Sequence, residues 1–439
     1  MNLCESRPNN ILFVPVASPI HDKNAVNEVI RRYEDIIRKS VQELSNTNVL
    51  FVDLITSVTS LDEVLETISR KNICAVLIGI ITGGTERIVL ELSRKINNTC
   101  PFLIISHDTQ NSLAAGVEAL SRIRLEKIRT MLYILSDPNI IRDLKIFLYS
   151  SIIKKLLNNK NLLVIGDPSP WLVYSSVDWE STVNYFGINV IKINLDELID
   201  IYQSLNTEDI KEELKELLEK IINKADDSIT RKDILDSLRL YLALKRLLNK
   251  YNAIALTIRC FDLLRYNVTA CLALSILNDE GYIAGCEGDI PTVISMILSS
   301  LISNSPVFMA NISKINKKNN TILFAHCTSP TKIGRDFIIK THYESNISTA
   351  IELYPYKNKT VTIVKLDGCS MKLRVGRGKL LNDKPVSKDA CRTQFLIKLD
   401  NATKLLEDPI GNHYVIILGD YVDILKIFSE VMDLHFELI

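Results

Sequence analysis

The run ICAVLIGI at residues 73–80 decides the fold class, because it has eight residues and not one charged side chain. A run this short and this apolar indicates a strand that is buried on both faces. Comparable runs occur at residues 11–17, 49–52, 102–105 and 131–135, with longer segments of helical period between them. Buried strands that alternate with helices predict a parallel sheet covered by helices on each side.

A second segment of the same kind begins at residue 161. Its apolar runs lie at residues 162–165, 190–193 and 253–258, and helical stretches separate them. The sequence GDPSPW at residues 166–171 follows the first run, so we expect it at the carboxyl end of a strand, where open α/β sheets place their ligands. A simple turn that starts a helix explains these residues equally well.

The pattern changes after residue 311. Short runs rich in β-forming residues, at residues 321–324, 360–365, 371–375, 394–398 and 414–418, are separated by Gly, Asn, Asp and Lys clusters instead of helices. This predicts a mostly antiparallel domain with one closing helix near residues 421–432, and a hairpin turn at Gly376-Arg377-Gly378.

The predicted fold class is therefore α/β. Two doubly wound parallel-sheet domains, at residues 1–160 and 161–310, are followed by a C-terminal mostly antiparallel β domain at residues 311–439. A chain of 439 residues is long enough for each of three domains to bury a core of its own.

Composition limits the partners. The 52 acidic and 52 basic residues leave no net charge that would attract nucleic acid or an anionic membrane surface, so a small neutral substrate is the easier fit. No apolar stretch reaches the roughly 18 residues of a membrane span, and no signal segment begins the sequence, which predicts a cytoplasmic protein. The nine cysteines show no C-x-x-C spacing, so the sequence suggests neither a disulfide framework nor a structural zinc site.

Four residues are candidates for metal chemistry. Glu287 and Asp289 lie two apart, between an apolar strand-like stretch and a helix that Pro291 begins, where carboxylates can bind a metal and move a proton. His326 and His413 stand at the edges of later apolar runs. Two carboxylates and two imidazoles are ligands that a divalent first-row metal accepts. Each residue also has a structural explanation, since Asp289 could cap the helix and a lone histidine is more often a hydrogen-bonded core residue.

Several motifs resemble those of the L-fucose isomerase and L-arabinose isomerase superfamily, and of fucose-isomerase-like proteins of bacteria and archaea in particular. The resemblance lies in the order and spacing of short motifs along most of the chain, which are Gly83-Gly84-Thr85-Glu86, Pro168-Ser169-Pro170-Trp171, Cys260-Phe261-Asp262, Gly281-Tyr282, Cys286-Glu287-Gly288-Asp289, Phe308-Met309, Ala325-His326-Cys327, Cys391-Arg392-Thr393-Gln394 and Asn412-His413.

The resemblance implies two α/β domains, a β-rich C-terminal domain and an aldose–ketose isomerase that works with a bound divalent cation, commonly manganese. In such enzymes the cation acidifies the proton on C2 of the open-chain sugar, and a carboxylate returns that proton at C1 through a cis-enediol. Glu287, Asp289, His326 and His413 fall on or beside positions that serve metal binding and catalysis.

The same resemblance points to substrate contacts and to assembly. The segment around His107 is similar to one that reaches the active site of a neighbouring subunit, which implies a homo-oligomer, a trimer or a hexamer. Phe261 would line the sugar pocket, and Asn311, His342 and Glu344 are further candidates for binding the sugar.

One position departs from the arabinose isomerase pattern. A second ligand glutamate there follows the Phe-Met pair, whereas this chain has Ala310 and Asn311. Either Asp289 or Glu344 supplies the second acid–base group, or the reaction differs. The leading hypothesis is a metal-dependent isomerase of a pentose, hexose or deoxy-sugar. The alternatives are a non-catalytic carbohydrate-binding or regulatory paralogue and another metal-assisted lyase or hydrolase.

Overall fold

The computed structural model describes residues 8–439, apart from the side chain of Asp209. The described chain forms two compact units. One contains residues 8–156 and 426–434, and the other contains residues 157–425 and 435–439. The fold is the predicted one, with two parallel-sheet α/β domains followed by an antiparallel β domain.

The N-terminal α/β domain has a five-stranded parallel sheet with the order β2-β1-β3-β4-β5. Its elements are β1 (Asn9–Val16), α1 (Lys23–Val41), β2 (Thr47–Phe51), α2 (Leu61–Arg70), β3 (Ile73–Ile80), α3 (Glu86–Ile96), β4 (Phe102–Ser106), α4 (Ser112–Leu125), β5 (Leu132–Ile134) and α5 (Ile140–Leu157).

Both faces of this sheet are buried, as the charge-free run at residues 73–80 predicts. Leu12 and Ile78 pack with residues of α2, α3 and α4, while Phe13 and Leu77 pack with residues of α1 and α5. Successive strand residues point to opposite faces, so every residue of β1 and β3 is buried against one layer of helices or the other.

The central α/β domain has a four-stranded parallel sheet with the order β7-β6-β8-β9. Its elements are β6 (Asn161–Ile165), α6 (Trp179–Tyr185), β7 (Asn189–Ile193), α7 (Leu195–Ser204), α8 (Thr207–Glu213), α9 (Lys215–Ile222), α10 (Arg231–Lys250), β8 (Ala253–Ile258), α11 (Cys271–Asp279), β9 (Ile283–Cys286) and α12 (Ile290–Ser303).

The C-terminal domain is built on antiparallel strands that close into a barrel. The strand order is β14-β17-β10-β11-β16-β15, and a further pairing of β14 with β15 closes the ring, while β18 adds to β15 in parallel. The elements are β10 (Phe308–Asn316), β11 (Thr321–His326), β12 (Asp336–Lys340), β13 (Ala350–Tyr354), β14 (Thr360–Asp367), β15 (Lys372–Leu380), β16 (Thr393–Leu399), α13 (Lys404–Glu407), β17 (His413–Leu418), α14 (Val422–Val431) and β18 (His435–Leu438).

The predicted hairpin turn at Gly376-Arg377-Gly378 is wrong. These residues lie inside β15, where Gly376 pairs with Ile363 of β14. A Cβ on Gly378 would lie 2.5 Å from the side chain of Ile397 and 2.8 Å from that of Leu399. The glycines therefore let neighbouring strands of the barrel approach closely. A close approach of this kind is a common reason for glycine within a strand.

Helix α12 connects the central sheet to the barrel. All of its residues from Ile290 to Ile302 are buried, because β8 and β9 pack on it from one domain and β14 and β17 from the other. A helix that is apolar all round requires such burial on every side. Its amino end, marked by Asp289, consequently lies where the central sheet and the barrel meet.

Among residues 8–439, no helix has the length and hydropathy that a membrane span requires. Each of the eight cysteines among them is a free thiol.

Candidate metal centre

Three separate segments of the chain converge on one buried point. Glu287 directly follows β9, His326 is the last residue of β11, and His413 is the first residue of β17. Strand β10 lies between β11 and β17, and its Asn311 pairs with Ala325 on one side and with His413 on the other. The register puts His413 level with Ala325, one residue before His326, and the two histidine rings lie 5.7 Å apart with both Nε2 atoms near the carboxylate of Glu287.

The three side chains have the geometry of a metal site. Their ligand atoms all lie within 4.8 Å of one another. Oε1 of Glu287 is 3.4 Å from Nε2 of His413 and 3.7 Å from Nε2 of His326. Ligands that hold a common ion at about 2.1 Å stand roughly 3–3.5 Å from one another, so these separations fit a cation better than direct hydrogen bonds. The cluster of Glu287, His326 and His413 could hold a metal ion.

The hydrogen bonds of His413 support this assignment. Its Nδ1 donates to Oδ2 of Asp289 at 2.9 Å, which leaves the lone pair of Nε2 directed at the cluster. That Nε2 is buried and has no hydrogen-bond partner. A buried ring nitrogen without a partner is costly unless something binds it, and a divalent cation is the group that the neighbouring donors fit.

His326 is held in a similar way. Its Nδ1 is hydrogen-bonded to Oγ1 of Thr328 at 2.8 Å, and its Nε2 faces Glu287. When Nδ1 carries the proton, Nε2 offers a lone pair to the cluster, as it does in His413. A partner on the outer nitrogen of each ring fixes both rings in an orientation suited to metal binding.

Asp289 lies behind His413 and does not join the three ligands. Its Oδ1 accepts from the backbone N–H of Thr292, so it caps α12, and its Oδ2 accepts from His413. Burial alone would raise the pKa of Asp289, but the ammonium of Lys365 at 3.9 Å and the ring of His413 hold the pKa well below its usual range. The structure thus places Asp289 as an ionised partner of a ligand, although the sequence suggests it as a ligand.

Glu287 occupies an unusual backbone position. Its φ is 64° and that of Gly288 is 74°, so two successive residues are left-handed. A Cβ on Gly288 would lie 2.7 Å from Cα of Pro168, because the turn at residues 166–171 packs directly on it. From that turn, the backbone N–H of Ser169 donates to the carbonyl of Glu287 at 2.8 Å, and Nε1 of Trp171 donates to Oε2 of Glu287 at 2.6 Å. The turn therefore fixes both the backbone and the carboxylate.

The charges of the cluster interact strongly. Burial opposes ionisation of Glu287, but His326 and His413 lower its pKa well below the usual range. Burial likewise opposes protonation of His413, but Asp289 and Glu287 raise its pKa to about 9. Without a metal, the site favours a proton on His413 between two carboxylates. A cation bound to Nε2 would replace the positive charge of that proton.

Residues 177–304 match a family model described as the L-arabinose isomerase central domain. This match and the similarities below support the fucose/arabinose isomerase-like superfamily. A sulfoquinovose isomerase from Priestia aryabhattai is 21% identical over 456 aligned positions, which cover 97% of this chain and 98% of that protein. A sulfoquinovose isomerase from Clostridium sp. strain MSTE9 is 23% identical over 74% of this chain and 76% of its own length. An L-arabinose isomerase 2 from Clostridium acetobutylicum is 24% identical over 74% of this chain and 71% of its own length. The predicted superfamily is confirmed.

Three of the residues that the superfamily resemblance assigns to the sugar form a continuous wall beside Glu287. The ring of Trp171 contacts that of Phe261 edge-on at 5.1 Å, and Phe261 contacts His342 at 5.9 Å. Nε2 of His342 lies 3.8 Å from a carboxylate oxygen of Glu344. Phe261, His342 and Glu344 are therefore linked by contacts to the cluster.

The other two substrate candidates have different surroundings. Asn311 lies on β10 between the strands of the ligand histidines, and its Oδ1 accepts from Nδ2 of Asn412 at 2.8 Å. His107 is buried in the N-terminal domain, where its Nε2 lies 2.9 Å from the carbonyl of Ile81 and its Nδ1 lies 2.9 Å from Oγ1 of Thr109. A role for His107 in a neighbouring active site stays a prediction.

Sequence reasoning missed three residues that support the ligands. Trp171, Thr328 and Lys365 hold Glu287, His326 and Asp289 respectively. Two of them left a signal in the sequence. Trp171 belongs to the turn at residues 166–171, which is expected at a strand end where ligands bind, and a lysine next to an apolar strand run, such as Lys365, has to find a buried partner. Trp171 acts across 116 residues of chain, a separation that no local pattern reports.

Proposed function

We propose that this protein is a metal-dependent aldose–ketose isomerase that acts on a sugar through a cis-enediol. The observation that carries the proposal is the buried cluster of Glu287, His326 and His413, with one ring nitrogen free of any hydrogen bond. The relatives named sulfoquinovose isomerase and L-arabinose isomerase support this reaction class.

Glu287, His326 and His413 would hold a divalent cation, and we propose manganese. The cation would supply Lewis-acid polarisation of the sugar carbonyl and so acidify the proton on C2. Burial opposes ionisation of Glu287, but the two histidines hold its pKa below the usual range, so its carboxylate is charged and can bind the cation or accept a proton. Trp171 holds one oxygen of the same carboxylate, which leaves the other directed toward the histidines.

The surrounding residues prepare the site for this chemistry. Asp289 holds the proton on Nδ1 of His413, so that Nε2 is a ligand whenever the cation is bound. The rings of Trp171 and Phe261 give the pocket an apolar wall that can pack against the C–H face of a sugar and exclude water from it. Assembly as a trimer or hexamer and a cytoplasmic location stay predictions.

The test is an assay of the manganese-loaded protein on pentoses, hexoses, deoxy-sugars and sulfoquinovose, with ketose formation followed directly. We expect ketose from at least one sugar, no turnover after chelation, and recovery when manganese is restored. Glu287→Gln is the matched variant, since it keeps the shape of the side chain and removes its charge. Absence of ketose from every sugar with the metal-loaded wild type would refute the isomerase.

A second candidate function is a non-catalytic carbohydrate-binding paralogue. The observation that favours it is Ala310 and Asn311 on β10, because this strand adjoins both ligand histidines and supplies no carboxylate. Such a protein would bind sugar equally well with and without metal in calorimetry. Measurable turnover that Glu287→Gln abolishes would eliminate this candidate.

A further inference from the structure

Isomerisation through an enediol moves two protons. The first is the carbon-bound proton, which leaves C2 and is returned at C1. The second transfer concerns the oxygens, where O1 gains a proton and O2 loses one. One carboxylate can serve the carbons, but the oxygens need an acid–base group of their own. In the described part of the chain, Glu287 is the only carboxylate among the three clustered ligands. A second acid–base group is therefore needed from the residues around the cluster.

Asp289 is not available for this second task. Its side chain has no exposure to solvent, and both of its oxygens are occupied, one by the N–H of Thr292 and the other by His413. Reaching a substrate would require it to leave the cap of α12 and release a ligand histidine. Asn311 on the neighbouring strand has an amide, which does not ionise near neutral pH and cannot act as an acid or a base.

Glu344 lies on a loop that is built to hold it in place. The N–H of Asn346 donates to the carbonyl of His342 at 2.9 Å, and the N–H of His342 donates to the carbonyl of Ile347 at 3.1 Å. The N–H of Ser345 donates to Nδ1 of His342 at 3.3 Å, so the ring proton belongs on Nε2, which faces the carboxylate of Glu344 at 3.8 Å. The loop thus presents Glu344 beside a fixed imidazole.

The charge and exposure of Glu344 suit proton transfer. Its side chain is 52% exposed, so a ligand can reach it, whereas the side chain of Glu287 is 10% exposed. Burial of part of the group raises the pKa of Glu344, the neighbouring His342 lowers it, and the negative charge of Glu287 makes a smaller contribution to the rise. Glu344 is therefore within electrostatic reach of the cluster, and its carboxyl group is easier to protonate than an ordinary glutamate.

We propose that Glu344 is the second acid–base group of the isomerase and moves protons at the two substrate oxygens. The inference rests on the proposed function, and it assigns the oxygen chemistry of that site to a residue of the loop between β12 and β13.

The steps balance. Glu287 takes the proton from C2, the electrons of that C–H bond form the C1=C2 bond as the C1=O1 double bond opens, and O1 takes the proton of the carboxylic acid of Glu344. In the second step Glu344 takes the proton from O2 as C2=O2 forms, and Glu287 returns its proton to C1. Both carboxyl groups finish as they began, so no further reactant is needed.

The experiment compares Glu344→Gln, Glu344→Asp and the control Glu407→Gln in the metal-loaded protein. Glu407 is an exposed glutamate of α13 and serves as the matched control. We expect Glu344→Gln to lower kcat about 100-fold or more, the usual size of a lost acid–base group. Glu344→Asp should recover part of that loss, KM should change little, and manganese affinity should stay within about twofold in every variant.

Three results would overturn the assignment. The first is a Glu344→Gln enzyme with kcat close to that of the wild type, and the second is loss of manganese binding, which would make Glu344 a ligand instead. The third comes from carboxyl-carbon NMR of labelled glutamate in the metal-free protein, where a pKa of Glu344 at or below 4.5 would contradict its raised value. This measurement needs no turnover, so it tests Glu344 even if the wild type converts no sugar.

Discussion

Two buried histidines, His107 in the N-terminal domain and His413 in the barrel, look alike in the sequence and differ in the structure. His107 directly follows an apolar run and His413 directly precedes one, and both are at most 2% exposed. Both ring nitrogens of His107 have partners in its own domain, and burial lowers its pKa. His413 has one carboxylate partner and one nitrogen with none. The second ring nitrogen is therefore where the two residues differ, since it has a partner in His107 and none in His413.

The largest expected effect comes from replacing each of these two histidines by glutamine. His413→Gln removes a ligand and should weaken manganese binding by at least about 100-fold, while His107→Gln should leave the affinity within about twofold. His107→Gln should instead lower the free energy of unfolding by about 1–3 kcal/mol, because it disturbs buried hydrogen bonds. Calorimetric titration with manganese and denaturant unfolding measure the two effects. Equal loss of metal binding in both variants would show that His413 contributes no more to the metal site than His107 does.

Asp289→Asn should have the next largest effect, because it changes the partner of His413 and not the ligand itself. We expect manganese affinity to fall about 10- to 100-fold, the usual cost of removing a charged partner behind a metal-bound histidine. Asparagine caps a helix as well as aspartate does, so α12 should keep its stability. Unchanged affinity, measured in the same titration, would show that the charge of Asp289 does not act through His413.

The smallest effect concerns pH in the metal-free protein. The pKa of His413 is about 9 when folded and 6.5 when unfolded. The folded state therefore binds the proton more tightly, and the resulting stability is complete below pH 6.5 and lost as pH rises through 9. We expect the wild type to lose about 1–2 kcal/mol relative to His413→Gln between pH 7.5 and 9.5.

His107 should show the opposite sign. Its folded pKa is depressed, so protonation of the unfolded chain lowers stability as pH falls below 6.5. Thermal unfolding of the metal-free wild type and both variants across pH 5 to 10 separates the two contributions. A difference between wild type and His413→Gln that does not change with pH would contradict the charged state assigned to His413.

Much of the fold could be predicted from the sequence, because buried parallel strands are short runs without charge. The run at residues 73–80 is β3, and the runs at residues 162–165 and 253–258 are the interiors of β6 and β8. The barrel was harder, since antiparallel strands alternate polar and apolar residues and resemble loops. Strands β12 and β13, which pair with each other in a separate two-stranded sheet, were not predicted, and the glycines of β15 imitate a turn although close packing in the barrel requires them.

The candidate site could be predicted only in part. Residue type and position at strand ends indicated Glu287, His326 and His413, because ligands follow the edges of sheets. The role of Asp289 depends on His413, which is 124 residues away, and that of Lys365 depends on contacts with Asp289 and Thr292. Such roles arise from tertiary contacts that the sequence pattern of either partner does not contain.

The left-handed backbone at Glu287 has a consequence for how this site can change. A φ of 64° costs a glutamate roughly 1–2 kcal/mol relative to an extended or helical conformation, and asparagine or glycine adopts it more readily. A search for stabilising substitutions would therefore select against the carboxylate that the chemistry needs. At this position the residues that favour stability differ from the one that would bind the metal. Thermostability screens of this protein should therefore also record metal content.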